Sequence, residues 1–272
     1  MAEEQPNRAR LAQRIRFDVP HQARIWNYWL GGAEHYPADR AVGDAVLKFY
    51  PGIADLAVES RRFSARVIRC LAGELGVRQF LDVGTGLPAT PNLHEMAQRA
   101  APTSKFVYVD NDPVVLAYAR AWLVNGTGPG TVDHLDADYR EPERLLAAAR
   151  ELLDFGEPVA VLFMGVLGYL RTFSEMRSVL GQVRDGLPAG SYLGFWDATD
   201  TSPSVRAGVK AQTELGAPYA LRTLDQLEQC LAGLEPVAPG LTRITEWRPT
   251  EDPRPSEHAE PVDGYGALAR KP

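Results

Sequence analysis

The sequence predicts an α/β protein: a doubly wound, mostly parallel sheet with helices on both faces. Three observations carry this. Beyond Gln79, short apolar segments alternate with amphipathic ones at the spacing of βα units. The first such strand, Gln79-Phe80-Leu81-Asp82-Val83, breaks into a glycine turn, Gly84-Thr85-Gly86. Aspartates then recur 28 residues apart, at Asp82, Asp110 and Asp138, each near the carboxyl end of a strand. In a doubly wound sheet those ends line one crevice, where ligands bind.

The elements follow in order. Phe80, Leu81 and Val83 are apolar and β-prone, and a helix opens near Pro91-Asn92 and runs over 92–100. Lys105 to Val109 is the second strand, ending at Asp110-Asn111-Asp112-Pro113, with a helix over 113–123. The third strand spans Thr131 to Leu135 and ends at Asp136-Ala137-Asp138-Tyr139, with residues 143–153 helical. Val159 to Met164 is an uninterrupted apolar run, as expected of a central parallel strand covered on both faces. A helix over 174–186 and a fifth strand, Tyr192 to Trp196, complete the repeat. The tail departs from this rhythm. Residues 203–216 and 223–231 read as helices, and 234–237 and 241–247 as strands. A Pro-rich, acidic loop over 248–263 precedes a last strand over 264–270.

Ahead of the sheet, residues 1–19 are polar, with Arg8, Arg10, Arg14 and Arg16, and read as a mobile N-terminal arm. Residues 20–76 are helical, and 77–272 form the sheet domain. The stretch from Pro20 to Gly32 holds Trp26, Tyr28 and Trp29 within four residues and stops at Gly31-Gly32. Its rings either pack on the domain or form a lid over a ligand, with Arg24 and Tyr28 one turn apart on one face. A polar turn carries His35 beside Tyr36, a candidate acid/base residue, and leads into a helix over 38–49. Residues 53–76 form a long amphipathic helix striped by Leu56, Phe63, Val67, Ile68 and Leu71. Arg61 and Arg62 lie within it, and one of them is placed to reach an anionic group.

The three aspartates carry the chemistry. A carboxylate ending the second strand, Asp110, can accept two hydrogen bonds and so suits ribose hydroxyls. Asp138 is placed to accept from the exocyclic amine of an adenine. Asp82 separates the candidate ligands. A dinucleotide site shows G-x-G-x-x-G, and here Ala89 stands at the third glycine. A carboxylate just before the first glycine repels a pyrophosphate but can receive an ammonium. That favours S-adenosylmethionine, which has an amino group and a sulfonium but no phosphate, over a nicotinamide dinucleotide.

With these residues in place, the chain resembles the class I S-adenosylmethionine-dependent methyltransferases. More narrowly, it resembles an actinobacterial S-adenosyl methyltransferase family long described as a domain of unknown function. The resemblance runs over residues 17–272. It rests on Ala23-Arg24-Ile25 with Tyr28 and Leu30-Gly31-Gly32, on Ala38-Asp39-Arg40, on Arg61 and Phe63, and on Arg78 to Pro88. Further matches are Val107 to Val115, Ala137-Asp138, Pro158 to Leu162, Pro188 to Leu193 and Ala269 to Pro272. It implies a Rossmann-like, seven-stranded sheet with an antiparallel last strand, and N-terminal helices that close over the cofactor, S-adenosyl-L-methionine. By position, it implies that Asp82, Gly84, Thr85 and Gly86 line the methionine side. Asp110 holds the ribose, and Asn111, Asp138 and Tyr139 meet the adenine, with Met164 and Gly165 after strand four. Arg24, Tyr28 and Arg61 are further candidates, for the cofactor carboxylate. The chain departs from the family's pattern where histidines are usual. It has Gly165 to Leu170 after strand four and Trp196-Asp197 after strand five. Candidate bases are therefore His35, Tyr169 and Asp197.

The totals bound the function. The chain has 272 residues, 45% hydrophobic and 24% charged, ample for a buried core. A net charge of −6 disfavours a general nucleic-acid or anionic-membrane binder. Cys70 and Cys230 fall in no paired motif and read as buried, reduced thiols, and no metal site is expected. With no membrane-length segment and no signal peptide, a cytoplasmic bacterial protein is expected. The expected function is methylation of a small molecule at oxygen or nitrogen. The alternatives are a non-catalytic binder of the same cofactor and, more distantly, an NAD-dependent oxidoreductase.

Overall fold

The computed structural model describes residues 16–123, 128–249 and 262–272. Most of the N-terminal arm and most of the acidic loop therefore lie outside the described residues. The sheet is built from β1 (Gln79–Val83), β2 (Lys105–Asp110), β3 (Thr131–Asp136), β4 (Ala160–Met164) and β5 (Tyr192–Ala198), joined late by β8 (Gly264–Arg270). Strand order is β3-β2-β1-β4-β5-β8, with the first five parallel and β8 antiparallel to β5. The order reverses between β1 and β4, so the crevice above β1 is the place for a ligand.

The helices divide between two faces. α1 (Gln22–Trp29), α2 (Pro37–Phe49), α3 (Ile53–Arg69), α4 (Leu93–Ala100) and α5 (Pro113–Trp122) precede β3. α6 (Pro142–Ala149), α7 (Phe173–Gly186), α8 (Pro203–Glu214) and α9 (Leu224–Gln229) follow it. Alternation along each strand splits the core. Phe80, Phe106, Tyr108 and Trp196 face the cluster formed with α1 to α3, whereas Leu81, Val83, Val107 and Phe195 face α6 and α7. Strand four is buried apart from its last residue, as its unbroken apolar run predicts.

Several boundaries differ from expectation. The long helix over 53–76 is α-helical only to Arg69 and then loosens into a π-helical turn, with the Leu75 amide donating to the Cys70 carbonyl at 2.9 Å. Strand three extends to Asp136, and strand four starts at Ala160. The seven-stranded expectation is refined at the sheet's outer edge. There, β6 (Glu235–Pro236) and β7 (Thr242–Arg243) are two-residue pieces that both pair with β8, making eight strands. The strand expected over 241–247 stops because Arg66 captures the carbonyls beyond it. Arg66 donates to the Trp247 carbonyl at 2.8 Å and also to that of Ile244. The chain therefore turns inward, burying Ile244 and Trp247, with Trp247 edge-on to Phe63 at 5.5 Å.

The end of the N-terminal arm is tied down where it is described. Phe17 lies edge-on to Tyr36 at 4.7 Å, and the Arg16 and Val19 carbonyls accept from Arg24. No described helix is long and apolar enough to cross a membrane.

Candidate active site

Local hydrogen bonding shapes the crevice above β1 and β2. The Gly84 and Thr85 amides donate to the Val109 carbonyl at 2.8 and 3.1 Å, which curls the glycine turn onto the end of β2. Gly86 follows with φ +67, a conformation suited to glycine, and a side-chain carbon there would meet nothing within 4 Å. Its amide donates to Asp110 Oδ2 at 3.0 Å, while the Asp112 amide donates to Asp110 Oδ1 at 2.9 Å. Asp110 is thus fixed in orientation, with acceptor capacity left on both oxygens. Burial pushes its carboxyl above the ordinary range, against the pull of those two amides.

Asp82 is 4% exposed, and burial pushes its carboxyl up to about 7. The Arg61 guanidinium opposes this rise and Asp110 adds to it. Arg61 itself donates to the Ala89 and Pro91 carbonyls at 3.2 and 3.4 Å, on the far limb of the glycine loop. Its hydrogen bonds therefore position it without neutralising Asp82 by direct contact.

These groups open into one cavity of about 600 Å³, within the range typical of small-molecule sites. It runs from Asp82 and the glycine loop, past Asp110 and Asn111, to Trp26, Tyr169 and Trp196. α1 borders it through Gln22, Ala23, Trp26 and Asn27, so the aromatic helix faces the cavity as well as packing on the domain. α1 and the segments around it are held at several points. Arg24 donates to Asp39 at 2.8 Å, His21 Nε2 lies 3.1 Å from Asp112, and the Tyr118 hydroxyl donates to Glu34.

Among the residues expected at the site, Asp82, Gly84, Thr85, Gly86, Asp110, Asn111, Tyr139, Met164, Gly165, Arg61 and Tyr169 all line this cavity. Five do not. Arg24 is 3% exposed and is taken up by Asp39 and the two carbonyls before α1, so it serves the anchorage of α1. The Tyr28 hydroxyl donates to Asp44 at 2.5 Å. His35 stands edge-on to the Tyr28 ring and contacts Arg40 at 3.1 Å, on the outer side of α1. Asp138 is turned to Arg140, accepting from its amide at 2.9 Å and pairing with its guanidinium at 3.2 Å. Asp197 lies fully buried behind the cavity, accepting from the Tyr219 hydroxyl and the Ala198 amide. Burial pushes its carboxyl up to about 7.

Lining residues not expected include His21, Trp26 and Trp196. The density of aromatics in α1 signalled a ring contact but not which ring turns inward. Trp196 reads as a core strand residue, and its role depends on Gly165. That glycine has φ +79, and a side-chain carbon there would stand 2.3 Å from Trp196 Cζ2. Gly165→Ala is therefore expected to destabilise the protein by about 2–4 kcal/mol, from overpacking and left-handed strain together, as urea unfolding would read.

A family model described as S-adenosyl methyltransferase matches residues 8–272. The chain belongs to the S-adenosyl methyltransferase family. Two solved structures are similar along nearly its whole length. A DUF574 family protein from Streptomyces avermitilis superposes with a TM-score of 0.89 at 36% identity, covering 94% of this chain and 100% of that one. A putative methyltransferase from Thermobifida fusca gives 0.86 at 36% identity, covering 94% and 96%. No curated protein matches the sequence. Family membership makes this an S-adenosylmethionine-dependent methyltransferase with a Rossmann-like fold, as the resemblance implied.

Proposed function

We propose that the protein methylates a small molecule at oxygen or nitrogen, with S-adenosylmethionine lying across the carboxyl ends of β1 and β2. The observation that supports this best is the incompletely neutralised carboxylate Asp82 in the same cavity as Asp110. A buried carboxylate that burial pushes up to about 7 gains most from a cationic partner, and the cofactor's amino group is one. The rest of the donor set fits the same molecule. Asp110 keeps acceptor capacity for ribose hydroxyls, Arg61 offers a cation to the carboxylate end, and Asn111 and Tyr139 border the place for the adenine. Two carboxylates beside the glycine turn disfavour a pyrophosphate, which argues against a dinucleotide.

The bound cofactor supplies an electrophilic methyl group on a sulfonium. The chain's part is to align the acceptor, exclude water with α1, and leave a path for the acceptor's proton. Of the candidate bases only Tyr169 lines the cavity, and burial pushes its phenol well above the ordinary range, so it acts as a hydrogen-bond donor. Alignment, rather than a dedicated base, carries this chemistry. A cavity of this size suits a small acceptor better than a nucleic acid.

Calorimetric titration with S-adenosylmethionine and S-adenosylhomocysteine is the first check, with saturable heat expected for both. Transfer of labelled methyl groups into a metabolite extract is the second. A folded sample that binds neither ligand overturns the reading. Binding without any transfer instead favours a non-catalytic binder.

A further inference from the structure

The cavity is chemically divided. The charged side chains that line it, Asp82, Asp110, Arg61, Arg62 and Arg140, come from β1, β2, α3 and the segment after β3. The other half comes from α1 and the segments that end β4 and β5. It is formed by Trp26, Leu30, Met164, Val166, Tyr169 and Trp196, and none of these carries a charge at neutral pH. His21, just before α1, is turned to Asp112. An ionised acceptor bound in the uncharged half would lack a counter-charge.

The aromatic surfaces there are arranged as a wall. The Trp26 and Trp196 rings lie 5.7 Å apart, tilted by 35°, one from α1 and one from the sheet. Trp196 is seated against the bare backbone of Gly165. Trp196 is buried behind Trp26, so the half-buried Trp26 presents the open face, and such a face favours offset stacking with a planar ring over contact with an aliphatic one.

The polar atoms of this half are donors. The Trp196 indole N–H is buried and has no hydrogen-bond partner among the described residues. The Tyr139 hydroxyl is committed to the Val166 carbonyl at 2.9 Å. The Tyr169 ring is braced edge-on against Tyr219 at 5.0 Å, and its hydroxyl is left to the cavity. The Trp196 N–H is closed off from the cavity, whereas the Tyr169 hydroxyl can donate to a ligand that supplies an acceptor.

We infer that the acceptor half is a binding site for a neutral, planar aromatic compound bearing an oxygen. The ring stacks on Trp26, which the buried Trp196 backs, and the oxygen accepts from the Tyr169 hydroxyl. This names the substrate class of the reading above and rests on it.

The test is calorimetry on the full chain saturated with S-adenosylhomocysteine, using four probes. These are 2-naphthol, its fully saturated decahydro analogue, 2-naphthoate and phenyltrimethylammonium. 2-Naphthol is expected to bind at one site, with the other three at least about tenfold weaker. Trp26→Leu is expected to weaken 2-naphthol about tenfold. Tyr169→Phe keeps a ring and removes the donor, and is expected to weaken it about fivefold. Equal binding of the saturated or charged probes, unchanged affinity in both variants, or no 2-naphthol binding overturns the inference. The two readings fail separately. A chain that does not bind S-adenosylhomocysteine counts against the methyltransferase site itself. One that binds it but does not discriminate among the probes counts only against the aromatic class.

Discussion

Arg24→Ala is expected to destabilise the protein by about 3–5 kcal/mol, the range for removing one partner of a buried ion pair. The pair is fully enclosed, with Arg24 3% and Asp39 0% exposed. Without the guanidinium, Asp39 keeps only the His21 and Tyr36 amides, each at 2.8 Å. The Arg16 and Val19 carbonyls lose their donor at the same time. Because this cluster joins the start of α1 to the start of α2, α1 loosens before the sheet does. Urea unfolding measures the loss, and hydrogen exchange over 20–40 locates it. Arg24→Ala combined with Asp39→Ala should recover part of the stability by removing the stranded charge. A small stability loss with a large fall in S-adenosylhomocysteine affinity would instead make Arg24 a cofactor ligand.

Asp82→Asn is expected to weaken S-adenosylhomocysteine about 10- to 100-fold, the worth of one charge-assisted contact. The pH dependence gives a sharper signature. Burial pushes the folded-state carboxyl up to about 7, above the ordinary value of about 4 in an unfolded chain. Between those values the folded protein holds a proton that the unfolded chain has lost. The ligand-free protein should therefore lose stability as pH rises through that window and level off above it. Asp197 is shifted in the same direction and contributes a second share. Ligand affinity should move the opposite way, strengthening between about pH 6 and pH 8 as Asp82 ionises to meet the ammonium. In Asp82→Asn the affinity should be flat across that range, and the ligand-free variant should be more stable than the wild type at about pH 8. Calorimetry at the two pH values, with thermal unfolding alongside, reads all three effects. A wild-type affinity that does not change with pH would remove Asp82 from the cation's site.

Much of the sheet was legible because its signals are local. Phe80, Leu81 and Val83, the apolar run through Phe163, and the turns at Gly84-Thr85-Gly86 and Asp112-Pro113 specify strand, turn and helix within a few residues of themselves. Asp112 illustrates this, capping α5 through the Val114 and Val115 amides at 2.8 and 3.0 Å. The tail was less legible because long-range partners decide it. Whether 241–247 is a strand depends on Arg66, more than 170 residues earlier, claiming the Ile244 and Trp247 carbonyls.

The site divides in the same way. Asp82, Gly86 and Asp110 were placed by sequence alone, because position at a strand end fixes where a backbone goes in a doubly wound sheet. Arg24, Tyr28, His35, Asp138 and Asp197 were not, because a residue type states what a side chain can bond and not which neighbour claims it. Arg24 found Asp39, Asp138 found Arg140, and Asp197 found Tyr219. The sequence by itself determined the parallel sheet, its glycine turn and the carboxylates at the strand ends. Only the tertiary structure decided that Trp26 packs on Trp196 beside the cavity, since one comes from α1 and the other from β5, 170 residues apart in the chain. Local periodicity fixes a backbone, but a binding surface assembled from distant segments exists only once long-range packing has brought them together.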